Sequence, residues 1–186
     1  TPTYNRWRVD MEKAGKDIVG EQYEKFRNEV YSMRGLNVEA DKKKKRVAGY
    51  SADIVVRDQK GRPIIYEEAK GHYVDSCFLQ RAIMSAATVF HHHLQLDDGP
   101  MPYFVLSSST KMSTFERVFN DKVRLFDAPL RALLRERFVY LPLCSHDRVK
   151  ARKYFNAPES CFQLDATLLD RQEEFLNKVC TEVLCD

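Results

Sequence analysis

Two short β-rich runs joined by a glycine turn constrain this chain more than any other feature. Ile54-Val55-Val56 and Pro63-Ile64-Ile65-Tyr66 flank the polar turn Asp58-Gln59-Lys60-Gly61. Such runs on either side of a glycine-bearing turn specify an antiparallel hairpin. Side chains alternate along a strand. Ile64, Tyr66, Glu68 and Lys70 are therefore expected on one face, and Ile65, Glu67 and Ala69 on the other. A hairpin returns the end of its second strand to the start of its first, where Asp53 stands. Asp53, Glu68 and Lys70 should thus converge at one rim of a sheet.

That convergence has a chemical use. Carboxylate oxygens are hard ligands that suit Mg²⁺, which keeps several waters and takes one or two protein carboxylates. A lysine beside the ion can help deprotonate a water or stabilise charge on a phosphate. Metal-assisted phosphodiester hydrolysis needs a Lewis acid on the phosphoryl oxygen and an activated water. The same charged residues would also suit a solvated strand end, and an acidic pair with a lysine is a weak pattern in isolation.

Upstream, Glu24 follows Gly20 by four positions in a helix expected over about Asp10 to Arg34. Val19, Tyr23, Phe26 and Val30 recur there at helical spacing. Downstream, Asp75 or Ser76 can cap a helix running to about Leu96, with Gln80 near its start. The series Gly20…Glu24, Asp53, Glu68-Ala69-Lys70 and Gln80 resembles the PD-(D/E)xK nuclease superfamily over roughly residues 18 to 110. It departs from the superfamily's pattern in carrying Ala52 rather than proline before Asp53, and in the doubled Glu67-Glu68.

The resemblance implies a restriction-endonuclease-like α/β core, with a mixed central β-sheet flanked by α-helices. It implies a Mg²⁺-dependent endonuclease cutting DNA phosphodiesters, with Mn²⁺ as a substitute ion and double-stranded DNA as the partner. Asp53 and Glu68 would hold the metal, with Glu24 as an outer ligand. Lys70 would orient or activate the attacking water, and Gln80 would support the site. Two alternatives remain. One is an RNA endonuclease of the same fold, like the cap-snatching domains of segmented RNA viruses. Many of those carry a metal-binding histidine in an early helix, whereas no histidine precedes His72 here. The other is a catalytically inactive DNA-binding or subunit-docking module, against which the full carboxylate–lysine set argues.

The 186 residues suit a single domain, with a core over roughly 18–145 and a helix at 165–184 for packing or for an interface. An apolar stripe of Leu168, Phe175, Leu176, Val179 and Val183 on that helix suits core burial or a homodimer face. Net charge is only +3, so a nucleic-acid surface must come from local clustering. The block Lys42-Lys43-Lys44-Lys45-Arg46, a short step before Asp53, would attract a phosphate backbone; its alternative is a solvated loop. A further basic cluster lies over Arg148 to Lys153.

Pro102 to Leu106 reads as a buried strand, with Ser107, Ser108 and Lys111 following it and a helix from about Ser113 to Phe126. Hydroxyls at a helix N-terminus can contact phosphate, or simply cap the helix. A short helix from Pro129 to Arg137 and a strand from Phe138 to Leu143 come next. His91, His92 and His93 point about 100° apart from one to the next on a helix, so they cannot share one ion and suit a solvated helix end. His72 suits a phosphate contact or a plain surface position. No apolar run approaches the roughly 18 residues of a membrane span. Five widely spaced cysteines form no CxxC pair, which disfavours zinc and suits a reducing, cytoplasmic setting. The expected order is one helix, three strands, a helix, a strand, two helices, a strand and a last helix. Hairpins followed by crossovers make a mixed sheet.

Overall fold

The computed structural model describes residues 19–39, 47–70, 74–97, 99–108, 110–142 and 166–184. Helix α1 spans Val19–Ser32, and strands β1 (Asn37–Val38), β2 (Ile54–Arg57) and β3 (Pro63–Ala69) follow it. Helix α2 (Ser76–Leu96) precedes β4 (Tyr103–Ser108), α3 (Met112–Val123), α4 (Ala128–Arg137), β5 (Phe138–Pro142) and α5 (Ala166–Leu184). The strands form one sheet in the order β1-β2-β3-β4-β5. β1, β2 and β3 pair antiparallel, whereas β3, β4 and β5 pair parallel. The chain is thus an α/β fold with a mixed sheet and flanking helices, in the expected element order. No helix among the described residues is long and apolar enough to cross a membrane.

Alternation along the strands divides the core in two. Ile54, Val56, Ile65 and Ala69 pack with Tyr23 and Tyr31 of α1 and with Phe175, Leu176 and Val179 of α5. Val55, Tyr66, Phe104 and Leu106 pack on the other face against Leu79, Ile83 and Phe90 of α2, Phe115 of α3 and Leu134 of α4. The stripe on α5 is therefore core packing over its described part. Ile64 departs from the expected alternation and joins the α1 and α5 side. A register shift causes this: Val56 pairs with Ile65 but Arg57 pairs with Pro63, which skips Ile64.

Local chemistry sets the element ends. Gly61 takes φ of 79° in the β2–β3 turn, a conformation that glycine adopts without strain. The Asp58 carboxylate closes that turn by accepting from the Lys60 and Arg62 backbone N–H groups at 2.9 and 2.8 Å. Asp75 caps α2, its side chain accepting from the Phe78 N–H at 2.8 Å. β4 continues to Ser108, two residues beyond the expected Leu106. The basic block Lys42–Arg46, His72, Ser109 and the cluster Arg148–Lys153 lie outside the described residues.

Candidate active site at the open end of the hairpin

The hairpin brings Asp53, Glu68 and Lys70 together. Lys70 Nζ lies 2.7 Å from Asp53 Oδ2 and 3.1 Å from Glu68 Oε2. The Ala69 backbone N–H donates to the same Asp53 oxygen at 3.0 Å, tying the start of β2 to the end of β3. β4 fixes the strand end, because the Lys70 backbone N–H donates to the Ser107 carbonyl at 2.8 Å. The three side chains are about a fifth exposed or less, at 20%, 13% and 23% for Asp53, Glu68 and Lys70, so water screens them only partly.

Their electrostatics reflect crowding. Burial first, then the Asp53 charge, pushes the Glu68 carboxyl above its ordinary value, although Lys70 and the Tyr50 hydroxyl pull it back. For Lys70, burial alone would lower the ammonium's value. Asp53 and Glu68 outweigh burial, so the net shift is upward and Lys70 keeps its proton.

This donor set fits a hard divalent cation. Two carboxylates flank Lys70 Nζ at a partly open rim, and the repulsion between them that Lys70 leaves uncompensated is what a divalent cation would relieve. Among the described residues, no group of three or more His, Cys, Asp or Glu side chains has metal-binding spacing. Water would therefore complete the coordination of an ion held by Asp53 and Glu68. Glu24 is half-buried on α1 and is not gathered into such a group with them.

Other expected contributors fall elsewhere. Gln80 is exposed on α2. It lies about 200° around the helix from Phe78. Phe78 is the α2 side chain that meets the cluster, its ring centroid 5.6 Å from Lys70 Nζ. The exposed Arg81 guanidinium lies over the same ring at 5.5 Å. Ser107 and Ser108 are not surface phosphate contacts. Because β4 runs two residues further than expected, both are fully buried. The Ser107 hydroxyl donates to Glu67 Oε1 at 2.6 Å, and that of Ser108 is hydrogen-bonded to the Tyr140 hydroxyl at 2.8 Å. Lys111 is half-buried at the entry to α3. His93 is not merely a solvated helix end: its Nε2 is hydrogen-bonded to the Tyr66 hydroxyl at 3.1 Å.

On the opposite face of β3, Glu67 is fully buried beneath the site. Arg27 of α1 donates to it twice, through Nε at 2.7 Å and Nη2 at 3.2 Å. The Tyr31 and Ser107 hydroxyls also donate to Glu67, and Arg27 Nη1 reaches Gln172 of α5 at 3.1 Å. The two glutamates lie on opposite faces of β3, as expected from alternation, with Glu68 beside Lys70 and Glu67 paired with Arg27.

Sequence reasoning missed Tyr50 and Arg27. The Tyr50 hydroxyl donates to Glu68 Oε1 at 2.7 Å. The available signal was Gly49 directly before it, in a turn-forming context. Arg27 carried no comparable signal, since an arginine on a charged helix usually faces water. Comparison with protein-family models, with curated proteins and with solved structures found no match.

Proposed function

We propose that the chain is a metal-dependent endonuclease with a restriction-endonuclease-like core, hydrolysing DNA phosphodiester bonds at the Asp53–Glu68–Lys70 cluster. The observation that carries this is the meeting of both carboxylates on Lys70 Nζ, at 2.7 and 3.1 Å, at the open end of the hairpin. The helix, three strands, helix and strand from α1 to β4 support it, since they follow the superfamily's order. Asp53 and Glu68 would hold Mg²⁺ or Mn²⁺. When bound, the ion would polarise a phosphoryl oxygen and lower the pKa of a coordinated water.

Lys70 contributes as a charged donor. Its ammonium is held above the ordinary lysine value, so at neutral pH it donates to a phosphate oxygen or to the attacking water. It would not accept the water's proton in that state. The Phe78 ring lies against the ammonium, a cation–π contact at 5.6 Å. Arg81 adds an exposed positive charge at the same edge, suited to a backbone phosphate.

The test is incubation of supercoiled plasmid and of single-stranded RNA with the protein in Mg²⁺, Mn²⁺ or EDTA. Plasmid nicking or linearisation with either metal, abolished by EDTA, is the expected result. Lys70→Ala should lose cleavage by orders of magnitude while DNA affinity changes little. Cutting of RNA alone would reassign the substrate. No cutting of either, or near-parental cutting by Lys70→Ala, would refute the mechanism.

A further inference from the structure

The Tyr50 hydroxyl reaches Glu68 from a turn that lies outside the β2–β3 hairpin. Val47 and Tyr50 exchange both backbone hydrogen bonds, at 2.8 and 2.9 Å, across a two-residue loop. Both loop residues are left-handed, Ala48 with φ of 48° and Gly49 with φ of 85°. Paired left-handed residues make the tightest antiparallel connection, and a Cβ at the first of them is disfavoured. Ala48 accepts that strain, and Tyr50, the residue after the loop, faces inward. Its ring centroid lies 5.5 Å from that of Phe104, against the core under α2.

The hydroxyl at the end of that ring donates to Glu68 Oε1 at 2.7 Å, while Lys70 Nζ takes Oε2 at 3.1 Å. A carboxylate gripped at both oxygens cannot rotate, yet each oxygen keeps a second lone-pair direction for another partner. We propose that Tyr50 is a positioning residue that fixes Glu68 in the orientation needed to bind the metal, and that the left-handed turn at 47–50 is the device that aims its hydroxyl. This role rests on the metal site proposed above. Partners that hydrogen-bond a ligating carboxylate commonly set metal affinity without touching the ion.

The experiment is direct Mn²⁺ binding, followed by electron paramagnetic resonance, for the parent, Tyr50→Phe and Gly49→Val. Tyr50→Phe keeps the ring on Phe104 and removes only the donor. Its Mn²⁺ affinity should fall about tenfold. Its melting temperature should fall only slightly, by the loss of one hydrogen bond to a partly exposed carboxylate, and its affinity for duplex DNA in EDTA should stay at the parental level. Gly49→Val keeps the hydroxyl. No neighbouring atom lies within 4 Å of an added Cβ, and the φ of 85° is a conformation that a β-branched residue strongly resists. This variant should also weaken Mn²⁺ binding, through misdirection of Tyr50. Parental Mn²⁺ affinity in both variants would overturn the role of Tyr50. A Tyr50→Phe protein that melts far below the parent, or loses DNA affinity as much as Mn²⁺ affinity, would overturn it in favour of plain structural packing. Absence of Mn²⁺ binding by the parent would instead overturn the metal site itself, and this role with it.

Discussion

Glu67 and Glu68 are chemically identical neighbours with opposite fates. Glu68 sits partly exposed among Asp53, Lys70 and Tyr50, whereas Glu67 is sealed beneath β3 with Arg27, Tyr31 and Ser107. The carboxyl of Glu68 is pushed up by burial and by Asp53. A folded-state value above the unfolded one gives stability that is full while the group is protonated. That stability is lost as pH rises through the raised value. At neutral pH without metal, ionised Glu68 therefore opposes folding, and Glu68→Gln should melt slightly higher than the parent. The difference should shrink as pH falls toward the ordinary carboxylate range. Added Mg²⁺ should stabilise the parent but not Glu68→Gln, and thermal melts across pH and metal concentration check both statements. Glu67→Gln should behave in the opposite way. It leaves the buried Arg27 charge without its counter-charge, at a cost of about 3–5 kcal/mol. Denaturant melts should show that loss, while Mg²⁺-dependent cutting persists at temperatures where the variant stays folded. If Glu67→Gln were catalytically dead while folded and Glu68→Gln active, the two faces of β3 would be reversed.

The C-terminal end of β4 carries a structural duty where its composition suggested a binding one. Ser107 supplies a hydroxyl to Glu67 and a backbone carbonyl to Lys70, so one residue holds both faces of the neighbouring strand. Thr110 extends this framing. Its hydroxyl donates to the Val74 carbonyl at 2.8 Å and accepts from the Val74 N–H at 3.0 Å, which locks the approach to α2. Ser107→Ala should therefore destabilise the fold by about 1–3 kcal/mol, the cost of withdrawing a hydrogen bond from a buried charged group. It should leave duplex DNA affinity unchanged, measured by fluorescence anisotropy in EDTA. A selective loss of DNA affinity at parental stability would return Ser107 to the nucleic-acid surface.

At the scale of the molecule, the sheet is a partition between a candidate catalytic rim and a buried charge network. α1 and α5 cover the network's side, and Arg27 links them through Glu67 and Gln172. Arg34, in the turn that follows α1, also pairs with Glu173 and donates to Asn177 at 3.0 Å. Helix α5 thus completes the core, with Phe175, Leu176 and Val179 buried in it. Removing residues 166–186 would uncover that face and open the Arg27–Glu67 pair to water. The truncated chain should lose its cooperative melting transition by circular dichroism. Retention of a parental transition would show that α5 is dispensable to the fold.

What the sequence determined by itself was mostly local. The β-branched runs around Gly61 specify the hairpin, Asp75 specifies where α2 begins, and period-two alternation separates Glu68 from Glu67. Each of these follows from backbone geometry over a few residues, so no distant partner was needed. Even there, alternation failed at Ile64, because the register shift opposite Arg57 depends on how two strands meet. Tertiary structure alone decided that Arg27 turns inward, since an arginine is buried only when a carboxylate 40 positions away is there to meet it. It decided that Ser107 and Ser108 are interior, because parallel pairing with β5 carries β4 on to Ser108. It decided too that Tyr50 donates to Glu68: Gly49 marks a turn in the sequence, but a hydrogen bond between separated segments is set by the packing that brings them together.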